Sequence, residues 1–273
     1  MFMRFATLAT VATLAMPVMA QESEAEMLFD LLMLPDIVEI MREEGVSYGG
    51  TVGQDLFAGP ASAEWAATVE RIYDYEMMQR IVRVDFMASL VGADLEPITD
   101  FFSSQQGQII VGLEVNARRA LLDDAVKEAS KEAAAIAIAN DNPRIALISE
   151  FVDINNLIEN NVEGALNSNL AFYKSIFDGN AFDDALSEKQ ILLDVWSQEA
   201  TIRESTTEWI YSFLFMAFQP LNDVDLQAYI AFSETASGAV INRAIFESFD
   251  RLFMGISRSL GSAAANEMMS KEL

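Results

Sequence analysis

The 273-residue chain contains neither histidine nor cysteine. Zinc sites built on those ligands, thiol nucleophiles and Ser-His-Asp hydrolysis are therefore outside its reach. Acid–base or metal chemistry is left to oxygen, with 42 Asp and Glu residues against 17 Lys and Arg. Glu204-Ser205, in the run RESTTEW, could supply a general acid for cleaving a glycan if Glu204 were buried on a helix. Asp178–Asp184, DGNAFDD, and Asp223-Val224-Asp225 bring carboxylates together, but neither fits a calcium loop, and both read as helix caps. Ten of the fourteen methionines lie beyond residue 20, a composition that could serve copper in an exported protein. The only close pairs, Met77-Met78 and Met268-Met269, have no histidine companion and read as packing. Gly49-Gly50-x-x-Gly53 lacks the preceding strand and the lysine of a phosphate loop. No residue is assigned a catalytic, cofactor-binding or metal-binding role, and no cofactor is expected.

The elements that would position any such group are organised around a stretch that occurs twice. Asp94–Val111, DLEPITDFFSSQQGQIIV, aligns without a gap on Asp225–Asn242, DLQAYIAFSETASGAVIN, at an offset of 131 residues. Asp94/Asp225, Leu95/Leu226, Phe101/Phe232, Gly107/Gly238 and Ile110/Ile241 coincide, where average residue usage gives about one chance match. The same offset pairs Trp65 with Trp196, Leu90 with Leu221 and Leu121 with Leu252. Within each copy, Ser104 or Thr235 ends one helix and caps the next, accepting an N–H near the following glycine. Gly107 and Gly238 then fall in the first turn of the exit helix. They read either as the crossing point of a neighbouring helix, through which the halves pack, or as first-turn glycines of small cost.

Residues 1–20 read as a signal peptide. Arg4 supplies the charged start, Phe5–Ala15 is apolar, and Val18-Met19-Ala20 offers small residues for cleavage. The apolar run is shorter than the ~20 residues a membrane span needs, and no later stretch qualifies. The expected location is the periplasm or outside the cell, without membrane insertion after the leader is removed. A net charge of −25 at pH 7 repels phosphate backbones and anionic headgroups, which argues against nucleic acid and membrane surfaces as partners.

The apolar spacing is helical throughout, so the fold class is all-α, with antiparallel helices in two similar halves. Helices are expected over Glu22–Leu34, from Pro35 onward with Ile37, Ile40 and Met41 on one face, and from the Ser62 cap to about Leu90. Gly49, Gly50 and Gly53 weaken the second of these, and Gly59-Pro60 is a break. Further helices follow from Leu95 to Phe102 and from Gln105 to about Ile138. Asn140-Asp141-Asn142-Pro143 divides the chain into halves 21–140 and 141–273, Pro143 suiting the first turn of a new helix. Ser187-Glu188-Lys189-Gln190 is a capping box before a helix carrying both Trp196 and Trp209, and Asn222 or Asp223 caps the short helix of the second copy.

Phe101–Gln108, FFSSQQGQ, and Phe232–Ala239, FSETASGA, resemble the signature of a bacterial family catalogued as domain of unknown function 2059. That signature runs aromatic, Ser/Thr, often Pro, one variable residue, Gly and a long polar residue. Phe101, Ser104, Gly107 and Gln108 match it in the first copy, and Phe232, Thr235 and Gly238 in the second. Gln105 and Ala236 stand where Pro is common, Ser233 replaces an aromatic, and Ala239 replaces the polar residue. The resemblance implies an exported helical protein and supplies no catalytic residue. Glu204-Ser205 also resembles the Glu-Ser pair of helical lytic transglycosylases, though its flanks do not. The leading expectation is a non-enzymatic exported protein that binds a polypeptide or envelope partner in an apolar groove between helices. The alternative is a cell-wall glycan-cleaving enzyme using the Glu204 carboxylate. Oligomeric state is left open.

Overall fold

The chain is seen in a computed structural model that describes residues 12–57, 62–179 and 187–271. Among them there are thirteen helices and no strand, so the fold is all-α. The elements are α1 (Ala12–Leu31), α2 (Leu34–Leu56), α3 (Ala63–Ile72), α4 (Tyr75–Ser89), α5 (Glu96–Ser103) and α6 (Gln105–Ala120), then α7 (Asp124–Ala139). They continue with α8 (Pro143–Ile154), α9 (Leu157–Asp178), α10 (Glu188–Ser197), α11 (Glu199–Phe218), α12 (Asp223–Ser233) and α13 (Ala236–Lys271). Residues 1–11 of the expected leader, the Gly59-Pro60 break and residues 180–184 of the acidic run lie outside the described residues.

Local chemistry sets most boundaries. Ser62, Ser104 and Asn222 accept backbone N–H groups at the starts of α3, α6 and α12. Ser187 and Gln190 form the expected capping box, and Asn142 with Pro143 opens α8. Three expected long helices are in fact broken. The helix from Ser62 to Leu90 divides at Asp74, whose carboxylate accepts the Met77 N–H. The helix running on from Gln105 divides at Asp123, which accepts from Ala125 and Val126. Trp196 and Trp209 fall on separate helices, α10 and α11, across Gln198. Gln198 keeps near-helical angles and makes no side-chain cap, so the apolar period runs through that break, whereas Asp74 and Asp123 are extended and mark theirs by side-chain caps.

Two other boundaries move. The helix expected over Glu22–Leu34 begins by Ala12 and stops at Leu31, because Met33 turns left-handed with φ 52°. α2 then runs unbroken through Gly45, Gly49 and Gly50 to Leu56. The glycines admit α3: a Cβ at Gly45 would lie 2.0 Å from the Tyr73 ring, and one at Gly49 2.5 Å from Val69. Trp65 Nε1 donates to the Gly49 carbonyl at 2.8 Å across the same contact. Close packing repays what the glycines cost in propensity.

Features of α2 and α3 recur in α9 and α10. Both α2 and α9 start after a left-handed residue, Met33 or Asn156, each at φ 52°. They are 23 and 22 residues long, and α3 and α10 are 10 each. The packing crosses the midpoint of the chain. α13 lies along α4 and α9, while α6 lies along α11. The helices of Gly107 and Gly238 do carry contacts between the two halves, each on the fourth helix of the opposite half, α6 on α11 and α13 on α4. The largest core cluster joins Phe29, Val82 and Phe86 to Ala244, Leu252 and Leu260 of α13. A second joins Ile110 of α6 to Phe151, Leu214 and Phe218.

Candidate functional site

The six signature residues build a pair of matched corners. Ser104 Oγ accepts the Gly107 N–H at 3.0 Å and donates to the Phe101 carbonyl at 2.6 Å. Thr235 Oγ1 accepts the Gly238 N–H at 3.0 Å and donates to the Phe232 carbonyl at 2.7 Å. The hydroxyl thus ties the last turn of one helix to the first turn of the next. The backbone is drawn so tight that a Cβ at Gly107 would sit 2.2 Å from the Phe101 oxygen, and one at Gly238 2.3 Å from the Phe232 oxygen. The close approach is therefore to the preceding helix of the same corner, not to a crossing helix.

The corners meet through their aromatic residues. Phe101 stacks on Phe232 with centroids 4.1 Å apart and planes at 10°, and Phe102 sets its edge against both. Gln108, present only in the first copy, donates to the Phe102 carbonyl at 2.6 Å and the Leu31 carbonyl at 3.0 Å. Gln106 bridges to the second copy at Asp225 Oδ1, 2.8 Å away. The signature residues are thus brought together in a structural role, at one end of a cleft.

That cleft has a volume of about 950 Å³ and runs between α2, α6, α9, α11, α12 and α13. Phe102, Tyr229 and Phe232 close it at the corners, and Trp209, Phe213, Phe249 and Phe253 continue the aromatic wall. Along α13 its lining extends from Ile241 to Leu260, a length of about 28 Å at the helical rise per residue.

Polar groups also line this space, among them Asn160, Asn161 and Asn169 of α9 and several charged side chains. Glu114 of α6 is enclosed by protein, its residual surface facing the cleft, and burial pushes its carboxyl up to about 8, an interaction with Tyr229 partly offsetting the shift. Burial and the neighbouring Glu114 hold the Tyr229 phenol well above the usual tyrosine range. One turn on from Glu114, Arg118 makes a two-pronged pair with Glu44 of α2, Nε–Oε1 3.2 Å and Nη2–Oε2 2.6 Å. Its guanidinium lies 4.7 Å from the Trp209 ring, which stacks on Phe213 at 5.2 Å. Asp250 of α13 has Oδ1 buried with no hydrogen-bond partner, and burial followed by the charge of Glu163 raises its carboxyl. Chemically, the cleft offers a proton-holding carboxyl, a phenol, one neutralised guanidinium and an unpartnered carboxylate oxygen against aromatic walls.

The other sequence candidates lie elsewhere. Glu204 is exposed on α11 and does not line the cleft, and its neighbour Ser205 bonds back to the Ile202 carbonyl at 3.0 Å. Met78 is fully buried while Met77 is exposed. Trp65 is 2% exposed and Trp196 59%, so their match in register is not a match in environment. Glu114, Arg118, Tyr229 and Asp250 went unnoticed in the sequence. The signal for the first two was a column, Ile110, Glu114 and Arg118 at four-residue spacing, adjoining an apolar stripe. No family model, curated protein or solved structure matches the chain.

Proposed function

We propose that the chain is an exported, non-catalytic binding protein that holds an apolar ligand from the cell envelope in the interior cleft. The observation that carries this reading is the cleft itself. Its volume of about 950 Å³ and its aromatic wall, set with carboxylates and asparagines, have the character of ligand sites. The leader-like residues 1–20 support export, and the matched corners support reading α1–α6 and α8–α13 as copies of one unit. The resemblance to the bacterial family named above belongs to the same proposal. The glycan-cleaving alternative needs a buried acid at Glu204, and that carboxylate is exposed.

The test is titration of the folded protein with an environment-sensitive apolar dye. Saturable one-to-one binding is expected, with at least a tenfold loss in Ile245→Trp, a substitution that fills the cleft from α13. Absence of binding, or equal binding to that variant at unchanged melting temperature, would remove the reading.

A further inference from the structure

The charge lining the cleft defines the class of ligand it favours, an inference that rests on the binding reading above. Five carboxylates reach the cleft, Glu44, Glu114, Glu163, Glu247 and Asp250, against the single cation Arg118. Glu44 already neutralises Arg118. Among the described residues, no Lys or Arg lies within ion-pair distance of Glu114, Glu163, Glu247 or Asp250. Glu247 is met only by the Ser89 hydroxyl, at 2.8 Å. Asp250 and Glu163 face each other across α13 and α9, close enough for Glu163 to raise the Asp250 carboxyl. A side chain at Gly164 would press on this group, for a Cβ there would lie 3.1 Å from Asp250 Oδ1. Two carboxylates without a counterion, one with an oxygen buried and unpartnered, form an arrangement that a bound cation completes.

The walls favour the same class of occupant. The aromatic rings of Phe249 and Phe253 line the cleft, and such rings attract an alkylated ammonium as well as an apolar chain. A carboxylate amphiphile would meet three unpaired carboxylates, Glu163, Glu247 and Asp250, with only an engaged arginine to receive it. We propose that the cleft binds an elongated amphiphilic amine in its protonated form, with the ammonium between Asp250 and Glu163 and the apolar chain along the aromatic wall.

Decylamine, decanol and decanoate are the probes, competed against the apolar dye on the folded protein. Decylamine is expected to displace the dye at least tenfold more tightly than decanol, with decanoate weakest. Asp250→Asn should bring decylamine to within about threefold of decanol and leave decanol unchanged. Glu163→Gln should act in the same direction, which guards against a local fault in the first variant. Equal displacement by decylamine and decanol, or an unchanged preference in both variants, overturns the charge assignment and leaves the cleft as an apolar site. Dye binding that none of the three competes with overturns this proposal and places the dye outside the cleft. Absence of dye binding overturns the binding reading as well.

Discussion

At the scale of single residues, the cleft holds its carboxyls at a cost that pH exposes. The Glu114 carboxyl is held at about 8 in the folded protein, well above the ordinary 4.5. The folded state therefore keeps a proton that the unfolded chain loses. Below the ordinary value both states are protonated and the group is neutral in effect. As pH rises from 4.5 toward 8, stability falls, because the folded state must either hold the proton or ionise in a dry place. Water reaching the cleft discounts the effect, which we put at about 1–3 kcal/mol. Chemical denaturation at pH 5 and pH 8 should show wild type losing that much across the interval and Glu114→Gln losing less. An equal loss in both proteins would mean that Glu114 ionises freely. Arg118 is different, since Glu44 pairs with its guanidinium, Trp209 lies against it, and its charge is balanced in place.

At the scale of helices, the corners and the crossing of α2 by α3 show two uses of missing side chains. Gly107 and Gly238 allow the carbonyl of the residue six positions earlier to approach where a Cβ would stand. Gly107→Ala and Gly238→Ala should each destabilise by about 1–3 kcal/mol, as backbone must move to admit the methyl group. Thermal melting checks this, and an unchanged midpoint in both would show that the corner yields freely. The hydroxyl caps and the glycines could be found in the sequence because a cap acts over three residues. The breaks at Asp74 and Asp123 were equally local and carried caps of the same kind. They were masked because apolar residues recur at helical spacing on both sides of each cap, although Asp74 and Asp123 are themselves extended.

At the scale of the molecule, the halves interlock. α13 is 36 residues long and lays its apolar side on α4 and α9, while α6 lies on α11. Removing either half uncovers buried groups of the other, including Phe86 and Val82 in the first and Phe218 and Leu214 in the second. Expressed separately, residues 21–140 and 141–273 should each lack dispersed methyl signals in NMR spectra, and mixing them should restore the signals of the intact chain. A well-folded isolated half would show that the core divides at the midpoint after all. Among the described residues no helix is long and apolar enough to cross a membrane.

The sequence by itself determined the helical class, the starts of α3, α6, α8, α10 and α12, and the two aromatic-hydroxyl-glycine corners. Each of these is settled by groups within a few residues of one another, so the code for it is contiguous. The 131-residue register of the sequence did not predict environment, as the buried Trp65 and exposed Trp196 show. Tertiary structure decided that α2 passes through its glycines, because α3 fills the space they leave. It decided that Glu114 and one carboxylate oxygen of Asp250, in runs that read as ordinary amphipathic helix, are buried beside a shared cleft. Arg118 meets Glu44 across 74 residues of chain, and Asp250 meets Glu163 from another helix. Burial of a charge depends on what every neighbouring helix brings to it, and that sum exists only once the helices have packed.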